Sequence, residues 1–155
     1  MENMITIDGL TKTFGSLTAV NQISMTVNRG EVVGFLGPNG AGKSTTMKML
    51  TGYLPITSGK ASICGFDVIT KPIDAKKCTG YLPEGSPLYG DMSCLSFLEF
   101  VAEIRGFSGN QKKEKVDLAI ERLELSSVVN KPIETLSKGF KRRVGLAQSI
   151  LHDPE

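Results

Sequence analysis

Nine residues in the first third of the chain, GPNGAGKST at positions 37–45, combine the residue types that bind a phosphate group. Their glycines let the backbone turn tightly and direct successive N–H groups at an anion, and a following helix adds its positive N-terminal end. Lys43 supplies a mobile positive charge, and the Ser44 hydroxyl is a ligand for Mg²⁺. The spacing from Gly37 to Gly42, Lys43 and Ser44 therefore predicts a loop that binds the phosphates of a nucleotide.

Such a loop needs a strand before it and a helix after it. Residues 32–36 (VVGFL) are almost continuously apolar, which predicts a parallel strand buried on both faces. A helix is predicted at 43–51, starting inside the loop. Residues 4–10 alternate apolar and polar and predict another strand, with 17–20 and 23–27 as antiparallel neighbours. Strands and helices mixed around one parallel strand predict an α/β fold.

The second half of the chain is mostly helical in its pattern. Short strands are expected at Ile63 and at residues 81–82, and the apolar spacing becomes helical after Pro83. Three helices are predicted from their caps and apolar stripes: 94–105, capped by Ser93 and ended by Gly106; 110–123; and one opened by Ser137 and ended by Pro154.

Composition is that of an ordinary globular protein, with 155 residues, 40% hydrophobic and 22% charged. A net charge of +2 gives no reason to expect a nucleic-acid partner. No apolar segment approaches the ~18 residues that span a bilayer, and the first residues do not resemble a signal peptide. The three cysteines, Cys64, Cys78 and Cys94, lack metal-site spacing, so we expect reduced thiols in a cytoplasmic protein.

Several classes of nucleotide-binding protein contain such a loop, and other segments of the sequence distinguish them. A GTPase needs a base-reading Asn-Lys-x-Asp, and the nearest stretch, which begins at Asn130, has Ile133 in place of the aspartate. A small-molecule kinase stays open on the loop alone. Three further segments, LTKTFG at 10–15, GYLPE at 80–84 and LSKGF at 136–140, decide the matter. In their order and spacing the chain resembles the ATP-binding subunit of ABC transporters over essentially its whole length.

That resemblance implies a P-loop NTPase (RecA-like) core with an N-terminal antiparallel β subdomain and a helical insert. It implies ATP and Mg²⁺ as ligands. Phe14 takes the place of the family's adenine-stacking aromatic, and Glu84 stands where the family has a metal-contacting glutamine. The implied ATP contacts are Phe14, Gly37, Pro38, Asn39, Gly40, Ala41, Gly42, Lys43, Ser44, Thr45 and Gly139, and the implied metal contacts are Ser44 and Glu84.

The segment LSKGF resembles the family signature LSGGQ, with Lys138 for a glycine and Phe140 for the glutamine. The family likeness gives Ser137 and Gly139 a role on the ATP of a second subunit, so Lys43, Glu84 and Ser137 are the implied catalytic residues. A basic run, Lys141, Arg142 and Arg143, follows the signature. With few aromatics beside it, we expect a solvated or subunit-facing helix side and no nucleic-acid site.

Family members also carry a Walker B strand that ends in Asp-Glu, and a later histidine. No run in this sequence fits that strand, and His152 does not fit the histidine. We therefore expect the fold to be incomplete on the C-terminal side and the sequence to be part of a longer protein. On this view the 155 residues alone bind nucleotide weakly at most and are inactive as an ATPase.

The expected organisation is a β subdomain plus P-loop core at 1–84, a helical subdomain at 85–136 and the signature helix at 137–155. The resemblance implies an ATP-hydrolysing subunit of an exporter. It would act as a homodimer with a transmembrane permease, on the cytoplasmic face of the plasma membrane. Residues 85–100, among them Leu88, Tyr89 and Met92, are the expected permease contact, with core packing as the alternative. A non-catalytic nucleotide-binding scaffold and a non-transport ABC ATPase remain alternatives.

Overall fold

The computed structural model describes residues 2–85 and 88–155, and these fall into two compact units. The first unit contains the residues up to Thr79 together with Glu155, and the second runs from Gly80 to Pro154. Each unit has a hydrophobic core of its own.

The first unit is built on a four-stranded antiparallel sheet in the order β2-β1-β3-β4. The bounds of its strands are β1 Asn3–Phe14, β2 Leu17–Asn28, β3 Ser58–Ile63 and β4 Phe66–Asp67. The predicted antiparallel strands and the strand at Ile63 are confirmed, but β1 and β2 are longer than predicted. They form one hairpin, in which Phe14 pairs with Leu17 across a two-residue turn.

Close packing of β1 and β3 depends on a glycine. Gly59 has a φ of +87°, and a Cβ built on it would overlap the backbone carbonyl of Gly9 in the neighbouring strand. The β1–β3 register shifts between Asp8 and Thr11 at this point. After that shift, Leu10, Lys12 and Phe14 follow one another at every second position, so they lie on one face of β1.

Two helices complete the first unit: α1, Lys43–Leu50, and α2, Pro72–Lys77. Helix α1 is the one predicted to start inside the loop, and its Met49 and Leu50 are buried in the core under the sheet. Helix α2 was not predicted. It is only six residues long, too short to show an apolar period, although Pro72 at its first position is a favoured helix start.

The predicted parallel strand at residues 32–36 is wrong. The segment has no regular secondary structure, and Val32 and Leu36 are 98% and 92% exposed. A strand that is apolar on both faces needs hydrogen-bonded neighbours on each side and helices above and below. In the described part of the chain every paired strand belongs to the antiparallel sheet, and none pairs with this segment.

The second unit is helical, with α3 Cys94–Ile104, α4 Gly109–Arg122 and α5 Lys138–Ile150. The three predicted helices are confirmed to within a residue or two at their ends. Short 3₁₀ turns, Ser126–Val128 and Ile133–Thr135, connect α4 to α5. The predicted strand at residues 81–82 is wrong, because these half-buried residues have no regular secondary structure.

Serine caps define two of these helices. The Ser93 hydroxyl accepts a hydrogen bond from the Ser96 amide at 3.1 Å, and the Ser137 hydroxyl accepts one from the Phe140 amide at 3.3 Å. Each satisfies one of the N–H groups that the first turn of a helix leaves without an intrahelical partner. The helices pack around fully buried residues that include Leu98, Leu125, Val144 and Ala147.

The three cysteines are free thiols, as predicted. Burial in the apolar core raises the pKa of the Cys94 thiol to about 11. Burial and the neighbouring Cys78 thiol raise the pKa of Cys64 to about 11. Both therefore stay protonated near neutral pH. Within the described residues, no helix combines the length and apolar character needed to cross a membrane.

Candidate nucleotide-binding site

The glycine-rich loop packs against the sheet at its last glycine, Gly42. Gly42 immediately precedes α1 and has a φ of +86°. A Cβ at this position would overlap the carbonyl of Ala19 in β2 and come within 2.9 Å of the Val20 side chain. Only glycine allows the start of α1 to lie this close to the strand, so the position of the loop follows from that one residue type.

Lys43 lies over the loop that precedes it. Its ammonium donates to the carbonyls of Gly37 at 2.6 Å and Pro38 at 2.7 Å, while the side chain stays partly exposed. Both carbonyls belong to the same loop, so these two hydrogen bonds hold the positive charge of Lys43 at the turn of that loop. The arrangement places a cation beside the positive end of α1, which is the electrostatic requirement for binding an anion there.

The first turn of α1 is fixed by Thr46. Its amide and its hydroxyl both donate to the Gly42 carbonyl, at 2.8 and 3.0 Å, and its side chain is buried. The preceding amides of an α-helix's first turn have no intrahelical acceptor. The Ser44 side chain is exposed next to them and Thr45 is half-buried. The Ser44 hydroxyl oxygen can therefore coordinate a metal cation that also binds an anion at the start of α1.

Phe14 is brought to the same region by the hairpin. Its ring is 47% exposed at the end of β1, and it pairs with Leu17, two residues before Ala19, whose carbonyl lies against Gly42. Phe14 and the loop therefore approach β2 at positions two residues apart, Leu17 and Ala19, which is about one strand repeat. An apolar ring face near a phosphate-binding loop can hold a planar base.

One contact of Phe14 was missed from the sequence. The Lys12 ammonium lies 5.0 Å from the centroid of the Phe14 ring. The signal was present in the order Lys12-Thr13-Phe14, because residues two apart in a strand share a face. Lysine is usually a surface residue, so residue type alone does not indicate that Lys12 is buried in the inward-facing row of β1.

The remaining predicted site residues lie in the second unit. Glu84 is exposed in a turn, and Ser137 and Gly139 form the exposed start of α5. The Ser137 hydroxyl is the helix cap, and a Cβ on Gly139 would lie 3.9 Å from it, with no closer atom. The structure thus brings Phe14 and residues 37–45 together in one unit, and Glu84, Ser137 and Gly139 in the other.

A groove of about 870 Å³ crosses the second unit. Glu84 and Lys138 both line it, so the turn at Glu84 and the start of α5 share one surface. Residues 86 and 87 of the same segment lie outside the described residues. The rest of the lining is basic or apolar for the most part and comprises Leu82, Pro83, Gly85, Leu88, Gly90, Ile133, Glu134, Lys141 and Arg142.

The residues expected to contact a permease differ in their surroundings. Leu88 and Met92 are half-buried and pack against the core of the second unit, which agrees with the core alternative. Tyr89 is 55% exposed, and its ring centroid lies 5.7 Å from that of Phe100 in α3. The described residues between 85 and 93 are not helical, so the predicted helical segment at 85–100 is correct only for α3.

A glycine-fixed loop that leads into a helix, in an α/β chain, defines the class of P-loop NTPases. Within that class the ABC transporter family matches residues 20–155, and the chain belongs to this family. A probable multidrug ABC transporter ATP-binding protein of Escherichia coli, YbhF, is 38% identical over 99% of this chain and 27% of its own length.

An uncharacterized ABC transporter ATP-binding protein of Bacillus subtilis, YhcH, is 35% identical over 100% of this chain and 50% of its own length. The chain therefore spans half or less of these relatives. A solved structure of the ATP binding subunit of an ABC transporter superposes with a TM-score of 0.86 and 26% identity. It is matched over 97% of this chain and 63% of the solved one. The predicted fold class and the predicted family are both confirmed.

Proposed function

We propose that this chain is the ATP-binding part of a subunit that hydrolyses ATP to drive an ABC-type exporter. The observation that carries the proposal is the fit of Gly42 against the Ala19 carbonyl. That contact fixes a loop containing Lys43 at the N-terminus of α1, beside the exposed ring of Phe14. Phosphate recognition and base stacking are then available in one place. The exporter assignment is supported by the multidrug designation of YbhF.

The residues of the first unit fit ATP and Mg²⁺. A phosphate would be held by the loop amides of residues 40–45 and by the Lys43 ammonium, which exchanges its two carbonyl contacts for phosphate oxygens. The Ser44 hydroxyl would be one oxygen ligand of the metal. Bound Mg²⁺ supplies charge neutralisation on the phosphate oxygens. Phe14 would stack on adenine and set the position of the base.

The second unit would act on the nucleotide of a second copy. Ser137 and Gly139 present a hydroxyl and backbone N–H groups at the start of α5, a helix of thirteen residues whose N-terminal end is positive. We propose that these groups contact the γ-phosphate bound by the partner subunit, so ATP binding closes a homodimer. Glu84 would contact the metal or its water, with a negative charge where relatives have a neutral amide.

A transmembrane permease is the second proposed partner. The exposed Tyr89 ring, in the segment of residues 85–100, forms the proposed contact surface. The subunit would then lie on the cytoplasmic face of the plasma membrane. In this proposal residues 1–84 bind ATP, residues 85–136 form the helical subdomain that contains the permease contact at 85–100, and residues 137–155 carry the signature helix.

The matched caps of α3 and α5 give a test of the dimer role. Ser137→Ala and Ser93→Ala each remove a serine cap with the same backbone geometry, so each is expected to lower the free energy of unfolding by about 1 kcal/mol. Only Ser137→Ala should abolish ATP-dependent dimerisation of the full-length protein, measured by analytical ultracentrifugation with Mg-ATP. Equal dimerisation in the two variants would contradict the role of Ser137.

Two alternatives make different predictions. A non-catalytic scaffold that binds nucleotide would show ATP binding without turnover in the full-length protein. A non-transport ABC ATPase would hydrolyse ATP but would not co-purify with a membrane permease from detergent extracts.

A further inference from the structure

Lys12 is a buried cation that the proposed mechanism does not use. It is only 7% exposed and lies in the inward-facing row of β1, after the fully buried Leu10. Lysine is rarely this buried unless its charge has partners, because removing an ammonium from water is costly. The position therefore calls for a specific interaction that offsets the desolvation.

Two contacts supply that interaction. The Lys12 ammonium donates a hydrogen bond to the Pro55 carbonyl at 2.7 Å, and it lies 5.0 Å from the Phe14 ring centroid. The second distance is within the range of a cation–π interaction with the ring face. The ammonium is thus fixed by the backbone on one side, and it holds the aromatic ring on the other.

This arrangement leaves part of the Phe14 ring open to a ligand. The Phe14 residue is 47% exposed although the Lys12 ammonium lies over its ring. In the β-ladder Lys12 pairs with Val20, whose side chain borders Gly42 at the start of α1. Lys12 therefore lies in β1 opposite the part of β2 that positions the phosphate loop.

We propose that Lys12 is a positioning residue for base recognition, which fixes the Phe14 ring so that its free face stacks on a purine. Fixing the ring in advance removes the ordering cost from binding. A cation on the far face also withdraws electron density, which reduces the repulsion between two stacked π faces. The inference rests on the proposed function, because it assumes that a nucleotide binds at the loop beside Phe14.

The test distinguishes recognition of the base from recognition of the phosphates. Binding of Mg-ATP and of inorganic tripolyphosphate to the full-length protein is measured by calorimetry, for the wild type and for Lys12→Met. Methionine keeps the length and burial of the side chain but removes the charge. We expect ATP affinity to fall roughly three- to tenfold, from the size of a desolvated cation–π interaction. Tripolyphosphate affinity should change less than about twofold, since the loop residues that hold phosphate are unaltered.

Two further variants exclude a purely structural role. Lys12→Arg keeps a cation that can reach the ring and should restore the preference for ATP over tripolyphosphate. In a Phe14→Ala background, Lys12→Met should have no further effect on ATP affinity, because the ring through which it acts is gone.

Each contrary result has a distinct meaning. An unchanged ATP preference in Lys12→Met would overturn the inference alone. Equal losses for both ligands, with a lower melting temperature, would also overturn it and would assign Lys12 to folding only. A wild-type protein that binds neither ligand would overturn the proposed function, and this inference with it.

Discussion

Gly42→Ala is expected to cause the largest loss of stability and of ATP binding among substitutions in the loop. The new Cβ would overlap the Ala19 carbonyl, which is backbone and cannot move aside as a side chain would. The φ of +86° adds about 1–2 kcal/mol for a non-glycine residue. With overpacking of a further ~1–3 kcal/mol, the free energy of unfolding should fall by about 3 kcal/mol or more. Thermal melting and ATP titration of the full-length protein measure the two effects.

Gly65→Ala is the matched control. Gly65 has a φ of +76° in the β3–β4 turn, and a Cβ there would meet no atom within 4 Å. It should lose only the ~1–2 kcal/mol of the backbone conformation and keep ATP binding. If Gly42→Ala were no less stable than Gly65→Ala and bound ATP equally well, the contact between the loop and β2 would not be what positions the site.

Lys43→Met is expected to remove ATP binding with little effect on the fold. Among the described residues, the ammonium hydrogen-bonds to the carbonyls of Gly37 and Pro38 in its own exposed loop. Water can replace these bonds, so its loss should change the free energy of unfolding by less than about 0.5 kcal/mol. Hydrogen bonds to charged groups contribute about 1.5–3 kcal/mol each. Losing two phosphate contacts should therefore weaken ATP binding by a factor of ~100 or more, measured by calorimetry.

Lys48→Met is the control for that loss of charge. Lys48 is exposed in the last turn of the same helix, so this variant removes one positive charge from α1 without touching the loop. Its ATP affinity should stay within about twofold of the wild type, since an exposed charge at this distance is screened by salt. Equal affinity losses in the two lysine variants would mean that net charge alone, and no contact of Lys43, accounts for binding.

The helices were predictable because their signals are local. Ser93 and Ser137 are serine caps that accept from the amide three residues on, and Gly106, just past α3, has a φ of +90° that ends the helix. Such capping chemistry is read from a few neighbouring residues. The β1–β2 hairpin was predicted in kind for the same reason, although the exact length of its strands depends on pairing between distant residues.

Two predicted strands, at residues 32–36 and 81–82, are not present in the structure, because a strand is defined by its neighbours. Residues 32–36 have the composition of a buried parallel strand, yet nothing in the described sheet pairs with them. Composition reports only which residues would suit burial, and it does not report whether a partner is present. The same holds for residues 81–82, which are apolar in character but have no regular secondary structure.

The helix that follows the loop was predictable from residue type and spacing, since α1 begins at Lys43 as expected. The contact of Lys12 with Pro55 was not, because it joins residues 43 positions apart in the chain, whereas the Lys12–Phe14 contact joins residues two apart in one strand. Likewise, the sequence explained the glycine at position 42 by the backbone freedom that a tight turn requires. Its larger cause is the approach of β2, which only the folded structure reveals.

The most direct test of the central claim is a crystal structure of the full-length protein with Mg²⁺ and a non-hydrolysable ATP analogue. Our account predicts the β- and γ-phosphates within hydrogen-bonding distance of the amides of residues 40–45 and of the Lys43 ammonium. It places Ser44 on the metal and the adenine on the free face of Phe14. An analogue bound elsewhere, or one whose phosphates do not contact this loop, would contradict the account.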